Sequence, residues 1–197
     1  MALAAYRGMA RAHNAASPHA RVVLLLIDFM NPFDFPGGAA LARHAIGAAR
    51  RTAGLKARMR ARRAPVIYAN DNFGRWESDF EAVVAHCASR GSASAEIARM
   101  LAPAPGDRSI LKPRHSAFFG TPLEFLLDEL AVDRLVLAGL AADSCIMFTA
   151  HDAYLRKYAL RIPGDCVASE RDSYRRAALA YLARMLKADV TPARRQT

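Results

Sequence analysis

Three side chains far apart in the sequence, a cysteine, a carboxylate and a lysine, are suited to covalent hydrolytic chemistry, and each stands at or just beyond the end of an apolar run. Cys145 comes just after RLVLAGL (Arg134 to Leu140), behind Asp143 and Ser144, which are good helix N-cap types, so it falls in a first helical turn. Unpaired backbone N–H groups and the helix dipole favour a thiolate over a thiol there, which predicts a reactive sulfur. Asp28 closes RVVLLLID and Lys112 closes SILK. A carboxylate beside a thiol can take its proton, and a lysine close to both offsets the repulsion between carboxylate and emerging thiolate. Singly, each has a plainer structural reading: Cys packs readily in cores, Asp after a strand caps, and Lys is usually solvated.

Whether the three meet depends on the elements that carry them. Arg21 to Asp28, Pro65 to Asp71, Ser109 to Lys112, Arg134 to Leu140 and Ala159 to Ile162 read as strands buried on both faces, and Ala188 to Thr191 is a candidate sixth. Helical patterns cover Ala39 to Arg63, Asp79 to Arg90, Ala95 to Leu101, Pro122 to Leu130, the segment from Cys145 towards Tyr158, and Asp172 to Lys187. Arg and Lys of the first helix are expected to face solvent. This alternation predicts an α/β fold with a single doubly wound, mostly parallel sheet of five to six strands and helices on both faces. Right-handed crossovers put the strand carboxyl ends on one edge, so Asp28, Lys112 and Cys145 are expected to converge there.

Length and composition bound the partners. With 197 residues, one domain is expected. It is read as residues 21–191, with a flexible N-terminal extension at 1–20 and a basic tail at 192–197. No run reaches the roughly 18 apolar residues of a membrane span, so no membrane partner is expected. The net charge of +10 would suit a polyanion if concentrated, but arginines are scattered over the helices without any zinc, helix-turn-helix or RNA-binding signature. A nucleic-acid partner is therefore not expected. Three cysteines without a CxxC pair point to neither a disulfide framework nor a zinc site and fit a reducing cytoplasm. Cys87 and Cys166 read as core fillers, and His44, His86 and His151 lack ligand spacing.

The stretches LLLIDFMNPF, VIYANDNF, ILKPRHSAFFGTPL, LVLAGLAADSCIMFTAHDAY and DCVAS, in this order and spacing, resemble the isochorismatase-like cysteine hydrolases, a family that includes nicotinamidases, N-carbamoyl amidases and ureidoacrylate amidohydrolases. The likeness runs from Arg21 to about Lys187. It implies Asp28, Lys112 and Cys145 as a catalytic triad, and a cis peptide between Leu140 and Ala141 that turns the N–H groups of Ala141 and Cys145 into an oxyanion hole. The implied substrate is a small amide, ureide or N-carbamoyl compound, attacked by the sulfur to form a thioester that a water activated by Asp28 then hydrolyses. A homo-oligomer is also implied. Two departures narrow the reading. The Asp-x-His metal pair of nicotinamidases is here Asp71-Asn72-Phe73, so no metal or other cofactor is expected. Retention of Cys145 favours C–N hydrolysis over the vinyl-ether cleavage of isochorismatases proper, for which the scattered arginines would bind an anionic substrate. A non-catalytic binding protein of the same fold is the remaining alternative. Phe33, Asn70, Asn72, Trp76, His115 and Phe119 are the candidate pocket residues.

Overall fold

β1 (Val22–Ile27) is the central strand, and its side chains alternate between two cores. Val23, Leu25 and Ile27 point into one, Leu24 and Leu26 into the other, the two-residue period of a strand covered on both faces. The computed structural model describes residues 21–76, 78–90 and 93–193. The N-terminal extension and residues 194–197 of the tail lie outside them.

The sheet runs β3-β2-β1-β4-β5, with β2 at Val66–Asp71, β3 at Arg108–Lys112, β4 at Arg134–Leu140 and β5 at Ala159–Arg161. All pairings are parallel. Helices α1 (Gly38–Ala61), α2 (Phe80–Ser89) and α3 (Ala93–Met100) cover one face. Helices α4 (Leu123–Glu129), α5 (Cys145–Leu155) and α6 (Asp172–Leu186) cover the other. The order reverses between β1 and β4, which makes their carboxyl ends the switch point where open α/β sheets bind ligands.

The sixth strand is not where the sequence pattern put it. β6 is Val167–Ala168, which pairs with Gly139 and Leu140 of β4 beyond the point where β5 has ended. Residues 188–191 contribute a single bridge, Asp189 to Arg161, together with hydrogen bonds from Ile162 and Gly164 to the carbonyls of Asp189 and Val190. Lys56 departs from its expected solvent-facing place on α1. It is buried, with its ammonium donating to the Tyr68 hydroxyl (2.6 Å) and the Ala102 carbonyl (2.8 Å) and paired with Asp107 (2.9 Å). Three oxygen partners make up for its lost hydration. Ala193, read as part of the tail, is also buried. Its N–H donates to Asp165 (2.7 Å) and its carbonyl accepts from Arg58 (3.1 Å).

Candidate active site

Asp28 leaves β1 with φ 53, in the left-handed region that aspartate tolerates better than most residues. Its carboxylate is almost wholly buried and both oxygens are engaged. Oδ1 accepts the Asp71 N–H at 2.8 Å, and Oδ2 lies 2.8 Å from the Lys112 ammonium. Lys112 belongs to β3, two strands from β1, a gap of about 10 Å at ordinary strand spacing. A long stem is needed to cross it, and β2 supplies the floor, since Asp71 pairs with Lys112 in register. The ammonium is fully buried. It also donates to the Arg114 carbonyl (3.2 Å), faces Cys145 Sγ (3.7 Å) and lies 3.8 Å from Asp71.

Cys145 is the first residue of α5. The Leu140–Ala141 peptide before it is cis, and the Ala141 carbonyl accepts the N–H groups of Ser144 and Ile146. Asp143 is held by the Ser169 hydroxyl, which ties the turn to the end of β6. Thus β1, β3 and β4 bring Asp28, Lys112 and Cys145 to one point.

Proton affinities differ from the sequence expectation. Burial raises the Asp28 carboxyl above its ordinary range, against the lowering pull of Lys112. Burial disfavours the Lys112 ammonium, yet Asp28 and Cys145 hold its pKa above the usual lysine value. For Cys145, burial first and the Asp28 carboxylate second push the thiol up to about 12, and Lys112 offsets only part of this. The preformed thiolate expected at this helix N-terminus is therefore corrected to a resting thiol. The helix dipole acts on a sulfur whose water has been removed and whose neighbour is already an anion balanced by Lys112. Alkylation of Cys145 by iodoacetamide should accordingly climb with pH and level off only near about 12. A plateau at neutral pH would restore the thiolate.

A cavity of about 410 Å³ opens at the loops after β2 and β3, and Cys145 is not among the residues that line it. Of the expected pocket residues, Asn72, Trp76 and His115 line it. Asp71, Phe73 and Arg114 line it as well, although the sequence reading did not offer them. They directly follow or end β2 and β3, so the rule that ligands meet the loops after strand carboxyl ends would have found them. Asn70, Phe33 and Phe119 are not among the lining residues. Asn70 is buried, and its amide is spent on both backbone groups of Met30, accepting from N–H (3.1 Å) and donating to the carbonyl (2.9 Å). It holds the β1–α1 loop instead of a ligand. Phe33 packs half-buried against the α1-side core, and Phe119 is exposed. His115 comes closest to the chemistry, with Nδ1 3.7 Å from Cys145 Sγ. Among the described residues no group of three His, Cys, Asp or Glu side chains is arranged to hold a metal ion. His151 is occupied by the Met147 carbonyl (2.8 Å) and Tyr181, and Cys87 and Cys166 are buried in the core.

This open parallel sheet, with polar side chains gathered at its switch point, is a doubly wound α/β fold. The model of the isochorismatase domain matches residues 22–194, and the chain belongs to that family of hydrolases. It is similar to the isochorismatase family protein YaaI of Bacillus subtilis, 37% identical over 168 residues, or 85% of this chain and 92% of that protein. Maleamate amidohydrolase of Pseudomonas putida is 32% identical over 152 residues, 73% of this chain and 70% of the relative. Among solved structures, N-carbamoylsarcosine amidase from Thermoplasma acidophilum aligns with a TM-score of 0.64 and 29% identity, covering 87% of this chain and 96% of that one.

Proposed function

We propose that the protein is a cysteine hydrolase that cleaves a C–N bond of a small amide, ureide or N-carbamoyl compound through a thioester on Cys145. The observation that carries this reading is the meeting of three charged or nucleophilic groups drawn from three strand ends: Asp28 to Lys112 at 2.8 Å and Lys112 to Cys145 Sγ at 3.7 Å. Asp28 takes the thiol proton as the sulfur attacks, so the thiolate never exists alone. Lys112 keeps the carboxylate charged until that moment. The tetrahedral oxyanion is held by the N–H groups of Ala141 and Cys145, where each donor is worth about 3–4 kcal/mol in comparable sites. Asp28 then hands its proton to the departing nitrogen, leaving the acyl group on sulfur. The names of two relatives, maleamate amidohydrolase and N-carbamoylsarcosine amidase, support C–N hydrolysis as the reaction class.

A hydrolysis screen over small amides, ureides and N-carbamoyl compounds tests the reading, scored by release of ammonia or amine and by mass spectrometry of Cys145. The expected result is nitrogen release with an acyl adduct on Cys145, both lost in Cys145→Ala. Turnover that persists in Cys145→Ala, or an acid product without nitrogen release, would count against it.

The protein is further proposed to act on its substrate as a homo-oligomer in a reducing cytoplasm. Three free cysteines support the compartment. Among the described residues no helix is long and apolar enough to cross a membrane. Phe125 on α4 and Phe148 and Leu155 on α5 stand more than half exposed on the face opposite α1, which supports burial against a second copy. Sedimentation at micromolar concentration is expected to give a dimer or larger species, and a monomer throughout would exclude it.

A further inference from the structure

We propose that the protein carries a second small-molecule site, for an amino acid, in the cleft between α1 and α6 at the β5–β6 edge of the sheet. The cleft is a cavity of about 530 Å³, a size in the range of small-molecule sites. Asp28, Lys112 and Cys145 are not among its lining residues, so the proposal does not rest on the thioester reading.

A glycine leaves part of the cavity wall bare. Gly47 lies inside the 24-residue helix α1, where glycine costs stability relative to alanine, and nothing stands within 4 Å of the Cβ it lacks. Packing therefore does not require a glycine there. A larger side chain would take up space in the cavity instead.

The charges of the lining select the occupant. Asp165, in the loop after β5, accepts the Ala193 N–H (2.7 Å) and the Cys166 thiol at Oδ1, while Oδ2 is buried without a hydrogen-bond partner among the described residues. Such an acceptor is costly to leave unmatched. Arg161 of β5 pairs with Asp189 at 3.5 Å and does not line the cavity. Arg175 of α6 does line it but is spent, with Nε donating to Asp172 (2.7 Å) and Nη1 to the Gly164 carbonyl (2.6 Å). Asp172 also interacts with His44, the third basic side chain of the lining. Arg51 of α1 is exposed and has no ion pair among the described residues. One cation and one carboxylate of the described lining are thus left open. A plain carboxylate would be repelled by Asp165, and a plain amine by Arg51 and Arg175. A molecule bearing both groups pairs its carboxylate with Arg51 and supplies the N–H that Asp165 Oδ2 lacks.

The place of the cavity gives its occupant a hold on the reaction. Ala168 of β6 lines it, and the Ala168 carbonyl accepts the Ala142 N–H at 2.8 Å. The next residue, Ser169, holds Asp143. An occupant therefore rests on the strand that fixes the turn before Cys145, which makes it an effector.

The test is calorimetric titration of the full chain with glycine, β-alanine, 4-aminobutanoate and 6-aminohexanoate, with butanoate and butylamine as controls. At least one amino acid is expected to bind with a Kd below about 1 mM, and both controls at least about tenfold more weakly. Arg51→Gln removes the open cation, Gly47→Leu fills the bare wall, and Asp165→Asn keeps the acceptor for Ala193 while removing the charge. Each should weaken binding more than about tenfold with the melting temperature of the protein largely kept, since positions 47 and 51 are exposed. At saturation the tightest binder should change the rate of Cys145 alkylation by iodoacetamide at least about twofold, and only in the native chain. No binding across the series, butanoate binding as tightly as the amino acids, or native affinity in the three variants would overturn the site. An unchanged alkylation rate would overturn the effector role.

Discussion

Lys112→Met is expected to lower turnover by roughly 10²–10⁴-fold, the range for losing a general base, in a protein that still folds. The substitution keeps most of the stem that crosses from β3 to β1 and removes the ammonium paired with Asp28. Burial already raises the Asp28 carboxyl, and Lys112 is the main influence opposing it. Without the lysine Asp28 takes up a proton and can no longer accept one from Cys145. Breaking a buried pair from one side commonly costs about 3–5 kcal/mol because a charge is left unpaired. Protonation relieves part of this, which gives the loss a pH signature. In the variant the folded-state pKa of Asp28 lies well above the unfolded value of about 3.9, so the folded state binds the extra proton. Stability relative to the native protein is therefore least affected in acid, and the deficit grows as pH rises through the folded pKa. Urea midpoints at several pH values, read beside amide turnover, check both parts. Turnover within a few fold of native would show that Lys112 is not needed to keep Asp28 charged.

Gly139→Ala should be the most damaging small substitution in the sheet. Gly139 sits in β4 with φ 146, a conformation L residues rarely adopt, and a Cβ there would come 2.0 Å from the Ile27 carbonyl oxygen and within 2.9 Å of the Ile27 nitrogen. These are backbone atoms of the central strand and cannot step aside as a side-chain tip would. β1 and β4 must separate just where Asp28 and the Cys145 turn leave them. We expect a loss of more than about 4 kcal/mol, at the exceptional end for single substitutions, seen as lost soluble yield or a collapsed urea midpoint. Gly47→Ala is the matched control. Gly47 is exposed on α1 with nothing within 4 Å of its added Cβ, so the helix should gain about 0.5–1 kcal/mol. Equal behaviour of the two variants would contradict the close approach of β1 and β4.

The sequence by itself determined the layered fold, the strands other than the last, and the three residues that end or follow β1, β3 and β4. Each rests on a local signal. A parallel strand buried on both faces is a continuous apolar run, as in VVLLLI and RLVLAGL, and a chain rule of handedness carries their carboxyl ends to one edge. The lack of a histidine two places after Asp71 was legible in the same way. What only the tertiary structure decided depends on distances between residues far apart in the chain. Two-residue β6 carries no periodicity, and it pairs with Gly139 and Leu140 because β5 stops short of them. Asn70 shares the strand-end position of the pocket residues, yet the Met30 backbone claims its amide. His115 was one of six candidates until the hydrogen bonds of its loop to α5 set it beside the sulfur. The protonation of Cys145 was misread for the same cause. Its helix position is a local property that favours the anion, whereas burial and the nearby Asp28 carboxylate, set by packing across three strands, oppose it and prevail.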